Sequence, residues 1–200
     1  LFPFANQLEK LACFIIRDAK VGDAEEVLDT RLMATPSIAL EQCKKVVKSM
    51  FEKTELGVVE ACNMLINYSD KTMEEVVSLE KKVDKYEDQL GTYLVQISKQ
   101  NLSEQDSREV SEILHIIGDV ERISDHSVAI AKSAQEISGK KLKFSNQAEG
   151  EITVMIKAVK EILQESKNAF LEDDANLAMD VEAMERVIDK LKHQLKKRHV

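Results

Sequence analysis

The chain has 200 residues, with 28 Lys and Arg against 36 Asp and Glu for a net charge of −8, and it holds only 6 Gly, 2 Pro and no Trp. So few breakers among abundant Leu, Ile, Val, Ala, Glu and Lys describe helices and exclude a β-sandwich or barrel, which needs turn residues every ~8–12 positions. A pI near 5.2 excludes nucleic acid as a partner, because phosphate contacts need a basic face; the longest apolar run, Leu11 to Ile16, is far short of the ~18–20 residues that span a bilayer.

Residues 1–35 are mixed. An apolar opening, Leu1-Phe2-Pro3-Phe4, precedes a short amphipathic stretch from about Asn6 to Arg17, and Gly22-Asp23 marks a break. Thr35-Pro36-Ser37 is the first clear helix start, with Pro in the first turn where its missing N–H costs least. The helix extends to about Tyr68, and Met50, Leu56, Val59, Leu65 and Ile66 recur at helical steps. Thr72 with Glu75 reads as a capping box opening a second helix to about Lys99. Ser103 with Asp106 caps a third, which runs to Ser138 and stops at Gly139. Ser145-Asn146 opens a fourth helix to about Leu171, and Asp173-Asp174 a fifth to the chain end. Helices of roughly 25–35 residues are ~40–50 Å long, and short connections make neighbours antiparallel. The expected fold is therefore all-α, an elongated antiparallel helix bundle.

An offset of 105 residues aligns the chain with itself. Leu79-Glu80-Lys81-Lys82-Val83-Asp84-Lys85 falls on Met184-Glu185-Arg186-Val187-Ile188-Asp189-Lys190, and Met50 and Asn63 fall on Met155 and Asn168. Two copies of a three-helix unit follow: a lead-in over 1–35, a first repeat over 36–140, and an incomplete second repeat over 141–200 whose third helix is missing. The start at Leu1 and this missing helix both point to a piece of a longer protein.

Chemistry, if present, sits in Glu-x-x-x-Asp pairs: Glu80/Asp84, Glu121/Asp125 and Glu185/Asp189. With Glu25/Asp29 there are four such pairs where chance placement gives ~1.5, a modest excess. Phase is more informative. Residues four apart share a helix face. Each of the three pairs flanks its apolar stripe on the same side: Leu79, Val83, Tyr86 and Leu90; Ile113, Ile117, Val120, Ile130 and Ala131; Met184, Ile188, Leu191 and Leu195. Helices two and three could bring four carboxylates together, a repulsive arrangement unless cations cancel it. Oxygen-only ligands suit Mg, Ca, Mn or Fe, and Zn less specifically. The simpler alternative is a solvated acidic edge whose partners are Lys81, Lys82, Lys85, Arg122 and Arg186. Glu112-x-x-His115 lies opposite in phase and lacks the second motif that a di-iron bundle needs. His126 points outward, and Cys13, Cys43 and Cys62 read as reduced thiols. No nucleotide-binding or nucleophile-elbow motif is present, so neither an enzyme nor a direct small-molecule binder is expected.

Glu121-Arg122-Ile123-Ser124-Asp125-His126 with Ile130-Ala131 resembles the E-R-[IV]-x-D-H-x-x-N-I-A signature of PhoU domains. Leu79-Glu80-x-x-Val83-Asp84 and Met184-Glu185-x-x-Ile188-Asp189 resemble the family's partner motif, and the likeness covers about residues 37–200. The segment from Leu1-Phe2-Pro3-Phe4 through Leu28-Asp29-x-Arg31-Leu32 to Thr35-Pro36-Ser37-Ile38-Ala39-Leu40-Glu41 is similar to the lead-in of PhoU-like tails in bacterial sodium/phosphate cotransporters. The resemblance implies two three-helix repeats and a regulatory role in phosphate uptake. It implies a place on the cytoplasmic face of the membrane, with the membrane domain of the same transporter as partner. The apolar groove left by the missing sixth helix could also be filled by a second copy of the chain. It also implies a first metal site at Glu80, Asp84, Glu121 and Asp125, and half of a second at Glu185 and Asp189, for Fe, Mn, Zn or Mg. Two positions depart from the signature: Ala129 stands where it has Asn, and Ser124 where Gly is usual.

Overall fold

A computed structural model describes residues 28–199. The lead-in helix expected near Asn6–Arg17, the apolar opening, Cys13 and Glu25 lie outside the described residues. A 3-10 turn, Thr30–Ala34, precedes five helices: α1 Pro36–Met64, α2 Asp70–Ile97, α3 Glu104–Gly139, α4 Asn146–Glu172 and α5 Ala175–His199. The all-α bundle matches the expectation from composition.

Local sequence explains the boundaries. Pro36 sits at the start of α1. Ser103 and Asp106 form the expected reciprocal capping box, each side chain answering the other's backbone N–H. The Ser145 hydroxyl accepts from the Ala148 N–H at 3.2 Å. The start of α2 differs from the expectation: Ser69, not Thr72, is its cap, and the Ser69 hydroxyl accepts from the Thr72 N–H. Ser69 alone has the extended backbone a cap requires, so Thr72 lies inside the first turn. The stop of α3 also works differently. Gly139 is its last residue, yet the left-handed position is Lys141, with φ 53°. The Leu142 N–H bonds the Ile137 carbonyl and the Lys141 N–H bonds that of Ser138, a Schellman closure with Lys where Gly is usual.

Helices α1, α2 and α3 form the compact part, α1 packing most extensively on α3. The core is built from Leu40, Val46, Val47 and Met50 of α1, Val83, Leu90 and Leu94 of α2, and Ile113, Ile117 and Val120 of α3. A smaller cluster of Ala61, Met64, Val76, Ala131 and Ala134 closes the end where α1 finishes. The buried face of α1 departs in part from the expected one: Met50 is buried as expected, but Leu56 is exposed, as is Ile66 just past the helix end, while Cys43, Cys62, Thr54 and Gly57 are buried. Between α1 and α3 the interior is small and polar. A Cβ placed on Gly57 would stand 3.4 Å from the Ser127 hydroxyl and Ser124 is buried; elsewhere on α1 the buried Thr54 hydroxyl has no hydrogen-bond partner among the described residues.

The hairpin α4–α5 is held differently. Its two helices pack on each other, and among the described elements it is α4 that packs on the rest, along α1. The Phe170 ring lies 6.0 Å from that of Phe51, and the Lys167 ammonium pairs with Glu55 at 3.1 Å. In the register set by these two contacts, the early turns of α4 have no α1 residue opposite them, and α4 contains no fully buried residue.

The chain entering the bundle is clamped at Asp29. Its N–H donates to Gln42 Oε1 on α1 at 3.0 Å, and its carbonyl accepts from the Tyr93 hydroxyl on α2 at 2.7 Å.

Candidate functional site

Burial of Val83, Tyr86 and Leu90 on α2, and of Ile113, Ile117 and Val120 on α3, fixes which way the acidic pairs face. Both flank the core on the seam between the two helices. Glu80 and Glu121 are half-buried; Asp84 and Asp125, one turn further along, are exposed. The four share one electrostatic field. Partial burial pushes the Glu80 carboxyl up, and the negative charges of Asp125 and Asp84 add to this while Lys81 and Lys132 oppose it. Burial also pushes Glu121 up, followed by Asp125, Glu87, Asp84 and Glu80. Glu87 is a member of this group that the pair motif missed. The signal was available, because Glu80, Asp84 and Glu87 occupy i, i+4 and i+7 of one helix face.

Carboxylate oxygens alone make a donor set for a hard or borderline cation, and a cation would offset the repulsion that adds to burial in raising Glu80 and Glu121. The side chains as placed are strung along the seam. Among the described residues no three acidic, His or Cys side chains gather closely enough to hold one ion. Closing on a cation therefore calls for rotamer changes, which are small-cost at exposed carboxylates.

The pair Glu185/Asp189 stands apart. Both residues are exposed on α5, which packs against α4 alone, and Asp189 accepts from the Lys192 ammonium at 2.5 Å. Glu112 and His115 are exposed, and so is His126, as its outward phase indicated. Cys43 and Cys62 are free and buried, and burial, then the nearby Glu109 charge, pushes the Cys43 thiol up to about 12. Among the described residues no helix is long and apolar enough to cross a membrane.

Comparison with known sequences bears on the seam. The chain matches the PhoU domain over residues 47–134 and 152–200, stretches that include both acidic pairs of the seam and the pair on α5. It belongs to the PhoU domain family. The match is interrupted over residues 135–151, from the end of α3 into the start of α4. A relative in Clostridium acetobutylicum, named as a phosphate-specific transport system accessory protein PhoU homolog, is 22% identical over 154 residues, covering 76% of this chain and 69% of that protein. No solved structure matches. Within the matched stretches the pairs of the seam lie on α2 and α3, and the remaining pair lies on α5.

Proposed function

We propose that this PhoU domain regulates phosphate uptake as the cytoplasmic part of a sodium-dependent phosphate transporter, with a divalent or iron cation held by Glu80, Asp84, Glu121 and Asp125. The observation that carries this reading is the meeting of two Glu-x-x-x-Asp pairs in one repulsive field on the α2–α3 seam. The likeness of Leu28–Glu41 to cotransporter lead-ins supports the transporter context. Glu185 and Asp189 would give a second site its first half. Elemental analysis of protein purified without chelator, beside the Glu80/Asp84/Glu121/Asp125→Ala variant, tests the metal. Stoichiometric Fe, Mn, Zn or Mg lost in the variant supports it, and no metal in either folded protein reduces the seam to a solvated edge of a metal-free interaction domain. Deleting residues 36–200 from the gene tests regulation, and unchanged phosphate uptake at every external phosphate level would refute it.

The Clostridium acetobutylicum relative favours a second reading, a free-standing accessory regulator, since the alignment covers 69% of that protein. Immunoblotting of cell fractions separates the two. A band in the membrane fraction much larger than the 22.6 kDa of this chain supports a fused transporter, and a small extractable species supports the free regulator.

A further inference from the structure

Charge in this acidic chain is segregated. Residues 137–148 and 190–199 together carry eight of the 28 basic residues (Lys140, Lys141, Lys143, Lys190, Lys192, Lys196, Lys197 and Arg198) and none of the 36 acidic ones. The antiparallel order brings both stretches to one end of the molecule. The connection after α3 lines a cavity of about 420 Å³ with Ile66, Tyr68, Ile137, Lys141, Leu142 and Lys143. The start of α4 and the end of α5 line a groove of about 340 Å³ whose walls include Val154, Met155, Leu191, Leu195 and Arg198. Three of the eight cations are paired locally: Lys140 with Glu136, Lys192 with Asp189, and Arg198 with Glu151. No ion pair joins Lys141, Lys143, Lys190, Lys196 or Lys197 to a described residue. Apolar side chains stand among them in solvent, Leu142 59% exposed and Val154 55% exposed.

The geometry points to this end of the bundle as a docking surface for an acidic lipid bilayer. Unpaired lysines on a loop and a helix end suit a diffuse negative surface, to which each adds a similar increment. They lack the bidentate arginine pattern that reads single carboxylates or phosphates. The exposed Leu142 supplies an apolar contact that a nucleic acid would leave unused and that the interface of a bilayer accepts. The acidic seam lies elsewhere, along the flank of α2 and α3, while Asp70, Glu136, Glu149 and Glu151 stand at the margin of this end, where the lysines outnumber them. This surface stands independently of the metal site and of the transporter context.

The test is flotation of the 200-residue chain with vesicles of phosphatidylcholine alone or with ~30% phosphatidylglycerol, at low and at ~0.3 M salt. Binding is expected to the anionic vesicles only, weakened by salt. The Lys141→Gly/Lys143→Gln variant should bind about 25-fold more weakly, roughly fivefold per lysine; Gly suits the left-handed position, so the loop keeps its shape. The Lys45→Gln/Lys48→Gln variant, matched in charge on the exposed face of α1, should bind as wild type. Leu142→Ser should weaken binding severalfold. Equal loss in the two lysine variants, no anionic-vesicle binding, or tight binding to polyuridylate or polyglutamate without vesicle binding would each overturn the bilayer assignment. Thermal unfolding by circular dichroism confirms that each variant is folded.

Discussion

Replacing Glu80 and Glu121 together by Gln, in the presence of EDTA, should raise the stability of the bundle. Each substitution removes one like-charged i,i+4 contact, with Asp84 or Asp125, worth ~0.2–0.5 kcal/mol. Each also removes repulsion across the seam, since Glu80 feels Asp125 and Glu121 feels Asp84, Glu80 and Glu87. Discounted for partial exposure and salt screening, the pair should yield about 1 kcal/mol, or ~2–4 °C in Tm for a chain of this size. Gln and Glu have nearly the same helix propensity, so the backbone term cancels. The pH dependence has a definite sign. Both carboxyls are raised in the folded state, so the native protein binds their protons more readily than the unfolded chain does. Their unfavourable contribution is fully present above the folded-state pKa and disappears as pH falls through the range down to the ordinary 4.5. The gain from the double substitution should therefore be greatest near pH 7.5 and vanish toward pH 4. Melting curves at 222 nm across that range, at 0.05 and 0.5 M NaCl, measure it. A Tm that falls at pH 7.5 in EDTA, or a gain indifferent to salt, would refute the electrostatic account of the seam.

Thr54→Val keeps the shape of a buried side chain and removes a hydroxyl that has no partner, so urea unfolding should show a gain of ~1–2 kcal/mol. Leu90→Ala empties a site with no exposure at all and should cost ~2–5 kcal/mol by the same assay. Phe170→Ala removes the ring contact with Phe51; hydrogen exchange should quicken through α4 and α5 while Val83–Leu94 and Ile113–Val120 keep their protection. Tyr93→Phe deletes the donor to the Asp29 carbonyl and should lower stability by ~0.5–1.5 kcal/mol, with the fastest added exchange around Thr30–Ala34.

The parts of the fold carried by short-range signals were legible in the sequence. Ser103 and Asp106 form the box that their spacing announces, and the stripe Val83, Tyr86 and Leu90 is the buried face of α2. The acidic pairs could be placed beside those stripes because one periodicity fixes both. The start of α2 was less legible, because Ser69 and Thr72 both carry a capping hydroxyl and only the backbone angles at Ser69 decide between them. The face of α1 was misjudged for a different reason. Leu56 and Ile66 look like core, yet the positions that face α3 include Gly57, beside Ser127, and Ala61, clustered with Ala131 and Ala134, whose small volumes let the two helices approach. Hydrophobicity ranks residues by transfer cost and is silent on how closely two backbones must come. Glu87 was missed because a motif of two residues leaves out the third carboxylate on the same face. The modest burial along α4 and α5 follows from tertiary register, which no local pattern encodes.

The double hold on Asp29 changes what the preceding chain can transmit. Because its N–H is held by α1 and its carbonyl by α2, a pull on residue 27 is delivered at Gln42, in the second turn of α1, and at Tyr93, one turn before the end of α2, and loads the two helices against each other. A tether ending on a helix tip would instead peel one turn at a time. Tyr93 is on the helix that carries Glu80 and Asp84, so tension entering there acts as a lever on the same rod whose flank forms half of the acidic seam.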